Sequence, residues 1–211
     1  VNSNQATLSE TAPPSITGTT PGSRCDAGTV GLTATSSAGT INWYAASSGG
    51  SSLGSGTSFT TPSISSTTSY YVDATANGCT TSSRTGVVAT VTATPTITGI
   101  STGSHCSTGT VDLGATASAG TINWYAASTG GVSLGTGNTF TTPSISSTTT
   151  YYVDATTGGC TTASRTGVLA TINPLPTATV TYQSCAGVDG NTTIRLTPSG
   201  GTGPYTYKIN G

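Results

Sequence analysis

Five cysteines carry the most readily defined chemistry in this chain, and four of them recur with one spacing. Cys25 and Cys79 are followed, 81 residues later, by Cys106 and Cys160. Thiols repeated in this way within a small domain either form disulfides or bind zinc. Zinc takes four ligands, whereas each repeat offers two thiols and no repeated histidine, so the spacing favours the disulfides Cys25–Cys79 and Cys106–Cys160.

Such disulfides would matter for a domain of this size and would indicate an oxidising compartment. Closing a loop of about 55 residues stabilises a domain by roughly 4 kcal/mol in the chain-entropy model. Cys25 precedes its strand and Cys79 follows its own, so we expect each bridge to tie strand ends together at one pole of the domain. Cys185 has no counterpart, and we expect it to be unpaired within this sequence, with its partner beyond the end.

The other residues with chemical potential do not assemble into a catalytic set. His105 is the only histidine, and its counterpart in the first copy is Arg24, so no Ser/His/Asp or Cys/His arrangement is repeated. We predict that the chain is not an enzyme, that it has no catalytic, cofactor-binding or metal-binding residues, and that it needs no cofactor. His105 is expected on the surface beside Cys106.

One acidic and one basic residue recur at matching places and are interpreted as structural. Asp73 and Asp154 end the strings Tyr-Tyr-Val-Asp, and Arg84 and Arg165 precede the last strand of each copy. Calcium takes six to eight oxygen ligands, which is far more than these isolated carboxylates supply. We therefore expect an Asp–Arg contact between strands, with solvated side chains as the alternative.

Two aromatic pairs differ in the face they should occupy. Trp43 and Trp124 alternate with isoleucines and are predicted to lie in the core. Tyr44 and Tyr125 then fall on the outward face, where they are either ordinary surface aromatics or the better candidates for contact with a ligand or a surface.

Apart from Cys185, all these residues belong to a domain of about 80 residues that occurs twice in the chain. Residues 14–94 match residues 95–175 at 57 of 81 positions without a gap. Six or seven short alternating apolar segments, separated by turn residues every 8 to 12 positions, are typical of an antiparallel β-sandwich. The sequence thus predicts an all-β chain of tandem immunoglobulin-like antiparallel β-sandwiches, each with one disulfide, plus a partial third β module. We assign residues 1–13 to a linker or a preceding module, 14–94 and 95–175 to the repeats, and 176–211 to the third module.

The composition limits the classes of partner that the chain is expected to bind. Lys and Arg number 5, Asp and Glu number 6, and the net charge is −1, so no basic surface for nucleic acid or anionic membrane is expected. No apolar run approaches the ~20 residues that span a bilayer, so no membrane span is predicted.

The strings Trp43-Tyr44, Thr61-Pro62, Tyr70-Tyr71-Val72, Gly78-Cys79 and Arg84-Thr85 resemble a known module. It is the immunoglobulin-like repeat of very large Bacteroidetes surface proteins, often found beside gliding-motility C-terminal domains. From Thr177 onwards, Ser184-Cys185, Asp189-Gly190 and the run from Gly200 to Tyr207 resemble the start of a SprB-type repeat, in which a second cysteine follows later.

The resemblance to SprB-like gliding adhesins implies a type IX-secreted protein at the cell surface, associated with the outer membrane. Its partners would be further repeats of the same chain, the secretion and gliding machinery, and extracellular polysaccharide or a solid surface. The expected role is a stalk or spacer in surface attachment and gliding motility. The alternatives are a carbohydrate- or surface-binding module, or the spacer domains of a secreted polysaccharide-degrading enzyme.

Overall fold

A computed structural model describes residues 12–184, 192–201 and 204–206 of the chain. Strands, turns and irregular segments account for all of these residues, and no helix occurs among them. Accordingly, the part of the chain described here contains no helical segment with the length and apolar character needed to cross a membrane. The prediction of an all-β fold is confirmed.

Short strands follow from the frequent Gly, Pro and Ser-Thr clusters, which interrupt each apolar alternation after a few residues. The first repeat contains nine such strands. They are β1 (Ile16–Thr20), β2 (Gly22–Cys25), β3 (Gly31–Ser36), β4 (Thr40–Tyr44), β5 (Gly54–Ser55), β6 (Ser58–Thr60), β7 (Thr68–Ala76), β8 (Cys79–Thr80) and β9 (Thr85–Thr92).

Two sheets enclose the core of this repeat. One has the order β1-β3-β6, and the other has the order β2-β9-β7-β4-β5 with β8 paired to β7. Alternate residues of the central strands point inward, and Leu32, Trp43, Val72 and Ala89 are buried between the sheets. This is the immunoglobulin-like β-sandwich that the alternation predicts.

The first strand is divided between the two sheets at Pro21. β1 pairs with β3 in the small sheet, whereas β2 runs parallel to β9 at the edge of the large sheet. Gly22 permits the crossing, because a Cβ at this position would lie 2.2 Å from the carbonyl oxygen of Gly31. The sandwich is therefore antiparallel except at this one pair, a mixture that the sequence pattern does not reveal.

The second repeat has the same topology, including the parallel pair β11–β18. Its strands are β10 (Ile97–Ser101), β11 (Gly103–Cys106), β12 (Asp112–Ala117), β13 (Thr121–Tyr125), β14 (Gly135–Thr136), β15 (Thr139–Thr141), β16 (Thr149–Thr157), β17 (Cys160–Thr161) and β18 (Thr166–Asn173). Beyond it, β19 (Thr177–Ser184) and β20 (Thr192–Ser199) form an antiparallel hairpin. Whether this hairpin opens a SprB-type repeat stays a prediction, and Cys185 lies outside the described residues.

The chain divides into two compact units, and the division does not coincide with the repeat boundary. Among the described residues, one unit is formed by those up to Thr94 together with Thr157–Cys160, and the other by Pro95–Thr156 together with those from Thr161 onwards. The short β-turn segment that carries Cys160 thus belongs with the first unit, although in sequence it is part of the second repeat.

The prediction of one disulfide inside each repeat is wrong. The bond present joins Cys25 to Cys160, 135 residues apart, while Cys79 and Cys106 carry free, exposed thiols. Neither Cys25–Cys79 nor Cys106–Cys160 is formed. The physical reason lies in the register of strand β7 within a single repeat.

Cys25 and Cys79 occupy opposite ends of the sandwich. Cys25 pairs in register with Thr92 at the end of β9, beyond the point where β7 begins. Cys79 pairs with Ala76, where β7 ends. The nine residues of β7 place the two Cα atoms at least about 26 Å apart. A disulfide requires Cα atoms within about 7 Å, so the expected bridge at a single pole cannot form.

Candidate functional site

A polar cluster on the outer face of the large sheet is the site built most fully by the repeated residues. In β4, Ile41 and Trp43 point into the core, so Asn42 and Tyr44 face outward. The register of β4 with β7 sets Asn42 opposite Asp73. The side-chain amide of Asn42 donates to Asp73 Oδ1 at 3.1 Å.

Arg84, one residue before β9, closes this cluster. Its Nε donates to Asp73 Oδ2 at 3.3 Å, and its Nη1 donates to the carbonyl oxygens of Ala46 at 2.9 Å and Gly49 at 2.6 Å. The guanidinium also lies over the Tyr44 ring, with 3.2 Å between Cζ and the ring centroid. The side chains of Arg84 and Asp73 are only 14% and 7% exposed.

The second repeat builds the same cluster with nearly the same distances. Arg165 Nε lies 3.3 Å from Asp154 Oδ2, and Asn123 donates to Asp154 Oδ1 at 2.9 Å. Arg165 Nη1 donates to the carbonyl oxygens of Ala127 and Gly130, and its guanidinium covers the Tyr125 ring at 3.2 Å. The predicted Asp–Arg contact is therefore confirmed in both copies.

The carboxylate and most of the guanidinium of the cluster are engaged within it. Both carboxylate oxygens of Asp73 accept hydrogen bonds, and the guanidinium of Arg84 is held by one carboxylate, two carbonyls and a ring. No nucleophile stands beside a base in this arrangement. Over the described residues, moreover, no group of three or more His, Cys, Asp or Glu side chains could hold a metal ion. The role of the cluster is therefore structural, because it fastens the loop after β4 to the sheet.

Tyr44 and Tyr125 are less open than their outward orientation suggests. Each is half-buried, and an arginine occupies one face of each ring. The alternation of the sequence identifies the outward face of the strand, but it does not reveal that an arginine covers the ring. Arg84 lies 40 residues further along the chain than Tyr44. The one available signal was that Asn42, Tyr44, Asp73 and Arg84 are all identical in the second copy. Contact of the tyrosines with a ligand or surface stays a prediction.

The remaining candidates occupy the places expected of them. Trp43 and Trp124 are fully buried, and their indole Nε1 groups donate to the carbonyl oxygens of Gly56 at 2.9 Å and Gly137 at 2.8 Å. His105 is exposed next to Cys106, and its Nδ1 lies 3.3 Å from the carbonyl oxygen of Ser107. The tryptophans thus belong to the core and the histidine to the surface.

One exposed carboxylate fastens the end of the first repeat and gives it a pH dependence. Asp26 accepts hydrogen bonds from the amide nitrogen of Thr94 at 2.9 Å and from Thr94 Oγ1 at 2.7 Å. The backbone hydrogen bond from Thr94, followed by its hydroxyl, holds the pKa of Asp26 below its ordinary value. A lowered folded-state pKa stabilises the fold above the unfolded pKa, and this stabilisation is lost as the pH falls through the folded value.

We therefore expect the Thr94 amide resonance of the oxidised chain to titrate in acid, with a midpoint below about pH 3.9, the ordinary aspartate value. Nuclear magnetic resonance of the labelled protein measures this shift. Asp26→Asn should abolish it. Ser107 replaces Asp26 in the second repeat, so the amide of Leu175 serves as an internal control without a carboxylate. A Thr94 midpoint at or above the ordinary aspartate pKa would contradict the hydrogen bonding of Thr94 to the Asp26 carboxylate.

Comparisons with known proteins bear on the repeats. The family model described as "Ig-like domain CHU_C associated" matches residues 12–92 and again residues 93–174. No curated protein matches the chain. Among solved structures, a marsupial T cell receptor is 12% identical, with 81% of this chain and 76% of the receptor chain covered at a TM-score of 0.50.

Two further solved structures have lower scores. The fibronectin(III)-like modules of Clostridium thermocellum CbhA are 14% identical, with 76% of this chain and 94% of that chain covered at a TM-score of 0.47. Sidekick-1 immunoglobulin domains 1–4 are 16% identical, with 75% of this chain covered at a TM-score of 0.43. The chain spans about half, 48%, of that Sidekick-1 structure. The match to the T cell receptor, at a TM-score of 0.50 and 12% identity, shows likeness of fold alone.

Proposed function

The chain belongs to the family of Ig-like domains described as CHU_C associated, and we propose that it is a spacer segment of a secreted cell-surface adhesin. Tandem Ig-like domains of this kind are typically non-catalytic repeat modules, and disulfide-bonded ones belong to extracellular or secreted proteins. In the proposed role, the repeats hold an adhesive part of the protein away from the cell during attachment and gliding. The partners are the neighbouring repeats and the outer-membrane secretion and gliding machinery.

One observation carries this proposal. The Asp73–Arg84 cluster is built in the same way in both repeats, and in both the carboxylate and the guanidinium are held mainly by groups of the same repeat. A site that acted on a substrate would need unsatisfied donors, acceptors or a nucleophile. A spacer needs the reverse, because a loop fastened to a sheet at several points keeps its shape under load.

A retention experiment separates the spacer from a binding module. The oxidised 211-residue chain is passed over polysaccharide, glass and hydrophobic supports, and the bound fraction is measured against concentration. We expect no saturable retention on any support, because one face of each outward tyrosine is occupied by an arginine.

Saturable retention that disappears in the Tyr44→Ala/Tyr125→Ala double variant would instead make the repeats the adhesive element. Linked weak sites would then act through avidity. Tyr205→Ala is the matched control, since Tyr205 is a partly exposed tyrosine outside both repeats. Circular dichroism of each variant establishes that a loss of retention is not a loss of fold.

A further inference from the structure

The two cysteine positions of one repeat lie at opposite ends of its sandwich, which we call the joint pole and the hairpin pole. The joint pole is where β9 ends at Thr92, and it carries Cys25. The hairpin pole is the turn at Asn77 and Gly78, and it carries Cys79. In the second repeat, Cys106 pairs with Asn173 at the joint pole, and Cys160 follows the turn at the hairpin pole.

Local backbone geometry presents each cysteine in a fixed way. After Cys25 and Cys106 the chain turns sharply through Asp26 (φ 57°) and Ser107 (φ 65°), whose amides donate to the carbonyl oxygens of Thr92 and Asn173. The hairpin-pole cysteines follow two-residue turns with positive φ at both positions, as type I′ hairpins require. Those turns are Asn77–Gly78 (φ 50° and 80°) and Gly158–Gly159 (φ 52° and 81°).

The disulfide that is present joins one position of each type. Cys25 is a joint-pole cysteine of the first repeat, and Cys160 is a hairpin-pole cysteine of the second. The segment Thr157–Cys160 that brings Cys160 to this bond belongs to the first compact unit. The two free thiols are again one of each type, because Cys79 is at a hairpin pole and Cys106 is at a joint pole.

Both free thiols are reachable from outside. Cys79 and Cys106 are exposed, and Cys106 also lines an open cleft of about 520 Å³ whose other walls include Pro176 and Tyr205. An exposed thiol alone does not identify a partner. Here, however, the counterpart of each one in the other repeat is already bonded to a cysteine of the opposite type.

We propose that Cys79 and Cys106 are the two open halves of the disulfide that Cys25 and Cys160 complete, and that their partners are further repeats of this same kind. Cys79 would bond to the joint-pole cysteine of a repeat on its N-terminal side. Cys106 would bond to the hairpin-pole cysteine of another repeat of this kind. A row of repeats would then be joined covalently from each repeat to the next, instead of being braced inside each domain.

The chemistry is thiol–disulfide exchange with a small disulfide as oxidant. One thiolate attacks the oxidant and forms a mixed disulfide, releasing one reduced thiol. The second thiolate then attacks that mixed disulfide, forming the inter-repeat S–S bond and releasing the other reduced thiol. In total, the two cysteines lose two protons and two electrons, and the oxidant is reduced to two thiols.

The chain itself provides both halves, so two copies can test the pairing. The variant Cys185→Ser, which removes the fifth cysteine, is concentrated with oxidised glutathione, and the cross-linked species are digested without reduction and identified by mass spectrometry. We expect head-to-tail dimers and longer multimers in which the Cys79–Cys106 peptide pair predominates. Cys79→Ser and Cys106→Ser should each stop this growth, while an equal mixture of the two should restore dimers.

Two results would overturn the proposal. One is the absence of cross-linking, and the other is a statistical mixture in which Cys79–Cys79 and Cys106–Cys106 pairs are together as abundant as Cys79–Cys106 pairs. Neither result bears on the spacer role, which requires only that the repeats fold and bind nothing.

A second variant probes whether the hairpin pole docks as it does in the existing bond. A Cβ placed on Gly158 would lie 3.1 Å from Thr92 Oγ1 and Cγ2, so this approach is tight. The counterpart of Gly158 is Asn77, which has a Cβ and a similar positive φ, and the counterpart of Thr92 beside Cys106 is Asn173, which also has a Cβ. Asn77→Gly should therefore raise the rate of Cys79–Cys106 cross-linking several-fold, whereas an equal or lower rate would contradict this docking geometry.

Discussion

Replacing Trp43 with alanine is expected to lower the unfolding free energy of the first repeat by about 3–5 kcal/mol, the usual cost of truncating a fully buried aromatic. Trp43 is 0% exposed and stacks on Phe59 with ring centroids 5.3 Å apart. The substitution also leaves the Gly56 carbonyl without the indole donor that now lies 2.9 Å away. A domain of this size has roughly 5–15 kcal/mol in all, so much of its stability would be lost.

Hydrogen exchange at increasing denaturant, followed peptide by peptide, measures this loss separately for each repeat. Peptides from β3, β4 and β7 should lose protection together in Trp43→Ala, whereas Leu53→Ala, at a side chain that is 46% exposed, should change protection little. A loss below about 1 kcal/mol, in the range of surface substitutions, would show that the indole does not organise the core.

Removing Asp73 is expected to destabilise the first repeat by about 3 kcal/mol or more, the range seen when one partner of a buried ion pair is deleted. Asp73→Ala leaves the Arg84 guanidinium, whose side chain is 14% exposed, without a carboxylate, and it leaves the Asn42 amide without its acceptor. Arg84→Ala should also be costly, because it releases the carbonyl oxygens of Ala46 and Gly49 and uncovers Tyr44.

A double-mutant cycle with denaturant unfolding isolates the pair. The Asp73→Ala/Arg84→Ala protein should be more stable than the sum of the single losses implies, because the second substitution removes a charge that the first left unpaired. Asp154→Ala in the second repeat is the matched comparison, since its Arg165 contact has the same 3.3 Å distance. Single losses under about 1 kcal/mol, as for an exposed salt bridge, would contradict a fastening role.

The sequence predicts this fold well because the information needed for it is local. Alternation around Leu32, Trp43 and Val72 identifies the central strands and their inward faces, and all three residues lie in the core. The short strands β2, β5 and β8 escape such a reading, because two to four residues give no periodicity. Their positions depend on Pro21, on positive-φ glycines and on pairing with strands that are distant in the chain.

The prediction of the cysteine pairing is wrong for a different reason. Equal spacing in two copies is satisfied both by a bridge inside each repeat and by a bridge between repeats, so spacing alone does not choose between them. The length of β7 decides the question, since nine extended residues separate the joint pole from the hairpin pole. Likewise, alternation places Tyr44 on the outward face, but only the tertiary structure shows that Arg84 covers it.

Mechanical extension of the whole oxidised chain between its termini tests the central claim most directly. That claim is that the repeats form a spacer that resists force and that a disulfide joins one repeat to the other. With Cys25 bonded to Cys160, the 135-residue separation between them cannot extend. We expect reductant to add roughly 470 Å of released chain, at about 3.5 Å per residue, in two steps of similar size. Two locked segments of about 55 residues each, or full extension without reductant, would contradict the account.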